Sequence, residues 1–219
     1  MFYILRRMSI INTIRFNFRY FMPKVALKFP VLVGKNVARI SLHGDVYMDH
    51  PEDEIKTVMI KIGFSNLGIV DYSKERLLFE NSGKIYFKGK ADIGTGSRIS
   101  NSGTLIFGEN FQSSGKMTVI CTKQIIFGND NLISWHTLFM DSDLHIITDN
   151  RGGVCNQSES IELGSHVWVG CNVTVLKKTR IADNTVIAAG SVIAGKSTTN
   201  NCVIGSNGKI LRKTINWKH

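Results

Sequence analysis

The amino-acid sequence predicts an all-β protein, a parallel β-helix built from hexapeptide repeats, with a short N-terminal helical or irregular cap and a C-terminal basic tail. Every sixth residue from 163 to 193 is aliphatic, the fourth residue after each one is small or β-branched, and the residue directly after each one is mostly Gly or Ala. A period of six is neither helical nor alternating, and it is typical of one short strand plus a turn. The aliphatic column consists of Leu163, Val169, Val175, Ile181, Ile187 and Ile193.

A second period, of 20 residues, extends this pattern towards the N-terminus. Phe87, Phe107 and Phe127 each open a block in which the six-residue step continues. Three hexads plus two residues make one triangular coil with a widened corner. Residues 25–90 are strand-like but irregular, as expected of degenerate early coils. The β-helix domain is therefore predicted for residues 25–205.

Residues 1–24 form a basic amphipathic segment with one apolar helical stripe. Two interpretations are open: the stripe caps the end of the coil, which we favour, or it lies on an anionic membrane surface. The sequence lacks a run of about 18 apolar residues, so we expect a cytoplasmic protein, with at most weak peripheral attachment to the inner membrane. The stripe consists of Ile4, Met8, Ile11, Ile14, Phe18 and Phe21.

The net charge of +10 belongs to the two ends of the chain. Residues 1–39 carry eight Lys/Arg and no acid, and the C-terminal tail, residues 206–219, is also basic and free of acids. A nucleic-acid-binding protein would spread its cations over one face, so no nucleic-acid partner is expected. The four cysteines form no CxxC pair and are read as reduced structural thiols.

A loop predicted at residues 144–160 interrupts the repeat. The spacing from Phe139 to Leu163 is 24 residues, so the loop leaves the six-residue phase intact. Loops that project from a rigid scaffold often carry the chemistry. His145 lies at the entrance of this loop, directly after Asp141 and Asp143, and is the candidate catalytic residue.

The segments 127–142 and 163–212 resemble the hexapeptide-repeat acyltransferases, and most of all the O-acetyltransferases of sugar and surface-polysaccharide biosynthesis. The resemblance covers about two fifths of the chain and rests on VWVG at 167–170, IAAGS at 187–191 and G-x-x-x-K-x-x-R at 205–212. It implies left-handed winding, a homotrimer, acetyl-coenzyme A as acyl donor and a saccharide acceptor.

The resemblance also implies a role for His145 as the general base. A group of near-neutral pKa would take the proton of the acceptor hydroxyl while its oxygen attacks the thioester. Asp143, or alternatively Asp141, would hold the imidazole in the correct tautomer. His136 and His166 are alternatives at turn positions, expected to face solvent. The histidine spacing supplies no close pair of ligands, so no metal is expected.

The acyl donor is expected beside Trp168, which corresponds to a tryptophan that borders the donor channel in the family. A backbone N–H near Gly170 and Cys171 would bond the thioester oxygen and stabilise its developing negative charge. Nothing in the sequence beside Cys171 would lower its pKa, so a nucleophilic role for this thiol is disfavoured.

Small and basic residues complete the expected donor site. Ala188, Ala189 and Gly190 would leave room for the pantetheine arm, although small residues also suit tight corners. Lys209 and Arg212 match positions where the family keeps cations near the coenzyme's phosphates.

The sequence therefore predicts an acetyl-coenzyme A-dependent O-acetyltransferase that acts on a hydroxyl of a saccharide or polysaccharide precursor. Alternatives within the class are an N-acetyltransferase for an amino sugar and a serine acetyltransferase. A non-enzymatic β-helix binding module is less favoured, because it would need no loop that carries a histidine between aspartates.

Overall fold

The computed structural model describes residues 6–64, 68 and 70–218. Helices α1 (Ile10–Tyr20) and α2 (Pro23–Ala26) precede the strands, and a 3₁₀ turn (Ser206–Gly208) lies near the end of the described residues. The strands in chain order are β1 Val31–Val33, β2 Val37–Leu42, β3 Asp45–Met48, β4 Ile60–Ile62, β5 Leu77–Asn81, β6 Lys84–Phe87, β7 Ala91–Ile93, β8 Arg98–Asn101, β9 Thr104–Phe107, β10 Phe111–Ser113, β11 Thr118–Cys121, β12 Gln124–Phe127, β13 Leu132–Ile133, β14 Leu138–Met140, β15 Ile161–Leu163, β16 Trp168–Val169, β17 Thr174–Leu176, β18 Arg180–Ile181, β19 Thr185–Ile187, β20 Val192–Ile193, β21 Lys196–Ser197, β22 Cys202–Ile204 and β23 Ile210–Lys213.

The strands form the three faces of a triangular prism, with every third strand on the same face. Face A has the order β1-β4-β7-β10-β13-β16-β19-β22-β23, face B runs from β2 to β20, and face C from β3 to β21. All pairs are parallel except β22 with β23. This architecture, a parallel β-helix, confirms the fold class predicted from the hexads.

The interior of the prism is formed by columns of side chains in register from coil to coil. Every member of the predicted aliphatic column from Leu163 to Ile193 is buried. Phe107 lies opposite Phe87 on one side and Phe127 on the other, with ring centroids 5.2 and 5.5 Å apart and nearly parallel planes. The period of 20 is thus the length of one coil, as predicted.

The three corners of the prism need residues that either lack a side chain or accept a left-handed backbone. Corner 1 joins face A to face B and includes His136 and Gly190, both with positive φ. At Gly170, also in corner 1, a Cβ would lie only 2.7 Å from the Ala189 amide nitrogen of the next coil. Corner 2 joins face B to face C, and corner 3 joins face C to face A. The small residues after each aliphatic are therefore required by the close approach of successive coils.

Helix α1 covers the N-terminal end of the prism, as the expected cap. The Asn17 side chain donates to the Val31 carbonyl at 2.7 Å and accepts from the Val31 N–H at 3.2 Å, while the Thr13 hydroxyl accepts from the Val33 N–H at 3.0 Å. Phe16 is buried against Phe79 of the coil. The cap thus supplies hydrogen-bond partners to β1, which would otherwise be an open edge.

The expectation that the apolar stripe forms this cap is wrong. Ile11, Ile14 and Phe18 are exposed, and the helix packs through the opposite face, which carries Thr13, Phe16 and Asn17. The reason is chemical, because the edge of β1 needs polar partners that aliphatic side chains cannot provide. Of the other stripe members, Phe21 packs partly against the core and Ile4 lies outside the described residues. Within the described ranges, no helix is long and apolar enough to cross a membrane.

Substituting Phe107 tests the stacked core. Phe107→Ala removes a ring in contact with both neighbouring coils and is expected to lower the free energy of unfolding by about 3–5 kcal/mol. The matched change Ile106→Ala, on the same strand but facing outward, should cost much less. Denaturant unfolding monitored by circular dichroism measures both. Equal losses for the two variants would contradict the assignment of Phe107 to the core.

Candidate active site

The predicted loop is an ordered hairpin, here called the arm (residues 144–160), that leaves the prism at corner 2. Its two legs are joined by the Thr148–Val154 bridge and by a hydrogen bond from the Cys155 N–H to the Ile147 carbonyl of 2.9 Å. The carboxylate of Asp149 accepts the N–H groups of residues 151 and 153 and closes the turn. The arm is therefore held by its own hydrogen bonds and presents its side chains to the surface.

Asn156 and Lys177 fix the base of the arm. The Asn156 amide donates to the Asp143 carboxylate at 2.9 Å and to the His145 carbonyl at 2.8 Å, and its oxygen accepts the Ile147 N–H at 2.7 Å. The Lys177 ammonium, in the corner 2 position of the following coil, donates to the Asp143 carboxylate at 2.6 Å and to the Asn156 carbonyl at 2.9 Å. These contacts connect both legs of the arm to the rigid coil.

The same contacts lower the pKa of Asp143. The main cause is the Lys177 hydrogen bond, and the Asn156 amide adds to it. Since the folded pKa lies below the unfolded value, this stabilisation is complete above the ordinary carboxyl range and is lost as the pH falls through the folded pKa. The base of the arm should therefore keep its ion pair at neutral pH.

His145 lies at the start of the arm with its imidazole exposed. Its Nδ1 atom lies 3.3 Å from the backbone carbonyl oxygen of Asp143. A carbonyl can only accept a hydrogen bond, so this contact assigns the proton to Nδ1 and leaves Nε2 with its lone pair. Among the described contacts Nε2 has no partner. In the tautomer that this contact favours, Nε2 is positioned to accept a proton.

Neither candidate aspartate holds the imidazole through its carboxylate in the described contacts. Asp143 reaches His145 through its backbone carbonyl, while its carboxylate bonds Lys177 and Asn156. Asp141 is fully buried at corner 2, where its oxygens accept the N–H groups of residues 122, 123 and 124 and the Thr122 hydroxyl. Asp141 therefore closes the corner from which the arm departs, which is a structural role.

Corner 2 also explains the burial of Cys121. Asn81, Asn101, Cys121 and Asp141 occupy the same corner 2 position in four successive coils. The Asn101 amide donates to the Asn81 side-chain oxygen at 2.8 Å, and Cys121 lies between Asn101 and Asp141. Burial raises the pKa of the Cys121 thiol, and the nearby Asp141 charge raises it further. This thiol is consequently unreactive, in agreement with its expected structural role.

The predicted donor residues Gly170, Cys171, Ala188, Ala189 and Gly190 lie along corner 1, and Trp168 lies on β16 directly before it. The indole N–H of Trp168, on the outer side of β16, donates to the Ser134 hydroxyl at 3.1 Å. The Gly170 N–H is already bonded to the Ile187 carbonyl at 2.9 Å. The next amide, that of Cys171, has no partner among the described residues. Of the two amides proposed for the thioester oxygen, the structure therefore leaves that of Cys171 available.

Residues 188–190 continue the same corner in the next coil. The N–H groups of Ala188 and Gly190 bond the Ile204 and Cys171 carbonyls, both at 2.9 Å. Ala189 and Gly190 are exposed, and a Cβ at Gly190 would meet nothing within 4 Å. The surface beside Gly190 is thus open, whereas Gly170 is required by the packing of the coils.

The C-terminal tail carries Lys209 and Arg212 on the surface at the end of face A. Arg212 lies on β23, opposite Val203 of β22, and both cations are exposed. The chain then turns back, and the Trp217 ring stacks on the His166 ring at 4.1 Å with an interplanar angle of 9°. This stacking anchors the tail to corner 3.

The three candidate histidines, His136, His145 and His166, thus have different environments. His136 is exposed at corner 1, as expected of a turn residue. His166 is a corner residue too, but the expectation that it faces solvent is wrong, because the Trp217 indole covers it and donates to its carbonyl at 3.0 Å. In residues 6–64, 68 and 70–218, no group of three or more His, Cys, Asp or Glu side chains is placed to hold a metal ion.

Comparisons with known proteins agree with this architecture. Residues 160–195 match the family model described as bacterial transferase hexapeptide (six repeats). The matched segment contains the regular hexads predicted from the sequence, so this part of the chain is similar to the hexapeptide-repeat transferases.

Among curated proteins, the chain is similar to the putative lipopolysaccharide biosynthesis O-acetyl transferase WbbJ of Escherichia coli K12, with 29% identity over 147 residues, 61% of this chain and 74% of the relative. It is also similar to the galactoside O-acetyltransferase of the same organism, with 24% identity over 48% of this chain and 52% of the relative. The crystal structure of the polySia-specific acetyltransferase NeuO has the same fold, with a TM-score of 0.50, 20% identity and coverage of 86% of this chain and 78% of that one.

Lys177, Asn156 and Ser134 are contact residues that the sequence analysis did not single out. The coil register contains a signal for Lys177, since the corner 2 position of the coil after the arm falls at residues 177–178, opposite residues 141–142 and close to Asp143 along the chain. Asn156 and Ser134 lack such a signal. Their roles depend on the path of the arm and on the orientation of the Trp168 ring, which a repeat pattern does not specify.

Removing the Lys177 ammonium tests how the arm is held. Lys177→Gln should speed hydrogen exchange of the Ile147 and Cys155 amides roughly two- to fivefold, the range for a partly exposed ion pair that restrains a local opening. Mass spectrometry of peptides covering 144–156 measures this rate. Lys178→Gln removes the neighbouring exposed charge and serves as the control. Equal exchange in the wild type and Lys177→Gln would show that the ion pair does not hold the arm.

Proposed function

We propose that the protein transfers an acetyl group from acetyl-coenzyme A to a hydroxyl of a saccharide or polysaccharide precursor, with His145 as the general base. The observation that carries the proposal is the exposed imidazole, with Nδ1 on the Asp143 carbonyl and Nε2 without a partner among the described contacts. The names of the curated relatives, which include O-acetyltransferases of lipopolysaccharide biosynthesis and of galactosides, support a sugar hydroxyl as acceptor.

In the proposed reaction, Nε2 of His145 accepts the proton of the acceptor hydroxyl while its oxygen attacks the thioester carbonyl carbon. The Cys171 N–H would donate to the oxyanion of the tetrahedral intermediate. Collapse of the intermediate breaks the C–S bond, and the imidazolium returns the proton to the coenzyme thiolate. The Asp143 carbonyl keeps the same tautomer throughout and stabilises the imidazolium. No acyl-enzyme forms, since the thioester is already activated.

The proposed site requires more than one protomer. The arm that carries His145 leaves at corner 2, whereas Trp168, Cys171 and Ala189 follow corner 1, on another edge of the prism. A homotrimer would bring the arm of one protomer against corner 1 of the next and would form three equivalent sites. Apolar side chains that the arm exposes support such a contact; they are Leu144, Ile146, Ile147 and Val154.

Lys209 and Arg212 are proposed to bind the coenzyme's phosphates. Both are exposed and lie in a segment that carries no acid after Asp183. Cations without carboxylate partners suit an anionic nucleotide. The open surface at Gly190 would then accommodate the pantetheine chain of the coenzyme, between these cations and the Cys171 amide.

Substituting the proposed base gives the main kinetic test. His145→Ala should lower kcat by a factor of about 10² to 10⁴, the usual contribution of a positioned general base. Thiol release from acetyl-coenzyme A, measured with hydroxyl and amino sugars as acceptors, gives the rate. His136→Ala, a change of another exposed histidine, should retain near-normal turnover. If His145→Ala kept the wild-type rate with an intact oligomer, another residue would be the base.

The phosphate site is tested with a double substitution. Replacing Lys209 and Arg212 by Gln should raise the KM for acetyl-coenzyme A about tenfold or more with little change in kcat, because each charge-assisted hydrogen bond contributes about 1.5 kcal/mol or more. Lys213→Gln with Lys218→Gln, an equal loss of charge in the same tail, is the control. Unchanged coenzyme A binding by the Lys209/Arg212 variant would exclude the tail as the phosphate site.

A further inference from the structure

We propose that helix α1 docks the protein on an anionic phospholipid bilayer, in addition to capping the coil. The docking surface consists of an exposed apolar stripe on α1 and a cleft lined by arginines beside it. This inference is independent of the proposed acetyl transfer, because it rests on residues at the opposite end of the chain from the donor site. In this subsection the stripe means the exposed apolar residues of α1 alone, which are Ile10, Ile11, Ile14 and Phe18.

The fold of the protomer uses this stripe through Phe18, whose ring lies edge-on to that of Phe29 at 6.5 Å, and leaves most of its surface uncovered. Its four side chains are 44–72% exposed, and Met22 and Leu27, which follow along the chain, are exposed as well. Thr13, Phe16 and Asn17 contact the coil from the other side of the helix, and Arg19 adds hydrogen bonds to β2 and its end. An amphipathic helix normally packs its apolar face inward, so an outward apolar face indicates a partner outside the protomer.

Positive charge surrounds the stripe. A cleft of about 590 Å³ lies between α1 and β2, lined by Arg15, Arg19, Arg39 and His43, and Phe18 belongs to both the stripe and the cleft. The described contacts give Arg15 no acidic partner. The Arg19 guanidinium donates to the carbonyls of Leu42 and His43.

Two acidic residues of the coil lie near this surface, Glu80 and Asp45, and the Asp45 charge acts on Tyr20 of α1. Arg39 forms an ion pair with Glu80 at 2.8 Å, and the Arg39 side chain remains largely exposed. Residues 6–39 contain eight Lys/Arg and no acid, so the carboxylates of Glu80 and Asp45 leave an excess of positive charge at this surface.

This combination fits an interfacial helix. Such helices lie in the plane of the membrane, with their apolar face about 5–10 Å into the headgroup region and their cations at the lipid phosphates. A second copy of this chain fits less well, because like stripes facing each other would bring their Arg15 side chains together without an acid in the segment to compensate. The charge thus favours anionic lipid as the occupant.

Docking through α1 would leave the catalytic arm accessible. The arm leaves the coil after β14, which is four strand spacings from β2 on face B, or about 19 Å at about 4.8 Å for each spacing. A bilayer under α1 and β2 therefore need not cover the arm.

Co-sedimentation of the full-length protein with vesicles tests the proposal. Wild-type protein should pellet with vesicles of phosphatidylcholine and phosphatidylglycerol at low salt, less at high salt, and not with phosphatidylcholine alone. The double variant Ile11→Ser, Ile14→Ser should lower the partition coefficient about tenfold or more, because it removes the inserted apolar groups. Arg15→Gln should lower it about fivefold, the effect of one cation near an anionic surface.

Lys84→Gln, an exposed lysine on β6, is the matched control and should partition like the wild type. Circular dichroism and sedimentation of each variant without lipid establish its fold and oligomeric mass. Failure of the wild type to pellet with phosphatidylglycerol vesicles at low salt would overturn the proposal. So would wild-type partition of the double serine variant, or the loss of its oligomeric mass, which would assign the stripe to a contact between copies.

Discussion

The close stacking of identical coils is the constraint on which the rest of the structure depends. Successive strands on each face lie one strand spacing apart, so an inward side chain contacts its counterparts directly above and below. Stacked phenylalanines at 87, 107 and 127 and the aliphatic column after Leu163 satisfy this requirement inside the prism. The corners satisfy it with glycines, small residues and left-handed turns. A prism of this kind is rigid, and its corners become fixed positions from which functional groups can project.

The candidate site uses two of these corners in different ways. At corner 2, Asp141 is buried and ties the coil to the departing arm, while Asp143 and Lys177 hold the arm's base through a partly exposed ion pair. His145 is thereby held on a short, hydrogen-bonded segment rather than on a free loop. At corner 1, the regular ladder leaves the Cys171 amide without a partner among the described residues, beside the exposed Trp168. Within one protomer, the proposed proton acceptor His145 and the proposed oxyanion donor, the Cys171 amide, therefore lie at different corners. The proposed trimer would bring them together.

The repeat pattern predicted the coil, its period and its buried columns because each hexad specifies its own local geometry. It also predicted the arm, since an insertion that preserves the six-residue phase must leave the coil and return. The pattern could not orient α1, because the choice of face depends on the hydrogen-bond needs of β1, which Thr13 and Asn17 meet. It likewise could not place Trp217 on His166, a contact between residues 51 positions apart. The partners of Asp141 and Asp143 depended on the path of the arm for the same reason.

The most direct test of the account is to follow a labelled acetyl group from acetyl-coenzyme A in the presence of saccharide acceptors. The account predicts that the label appears as an ester on the saccharide, that one free thiol is released for each ester formed, and that intact-protein mass spectrometry finds no acetylated protein during turnover. Label on Cys171 would contradict direct transfer to the acceptor. An absence of thiol release with every saccharide tested, from a folded oligomer that binds coenzyme A, would contradict the proposed function itself.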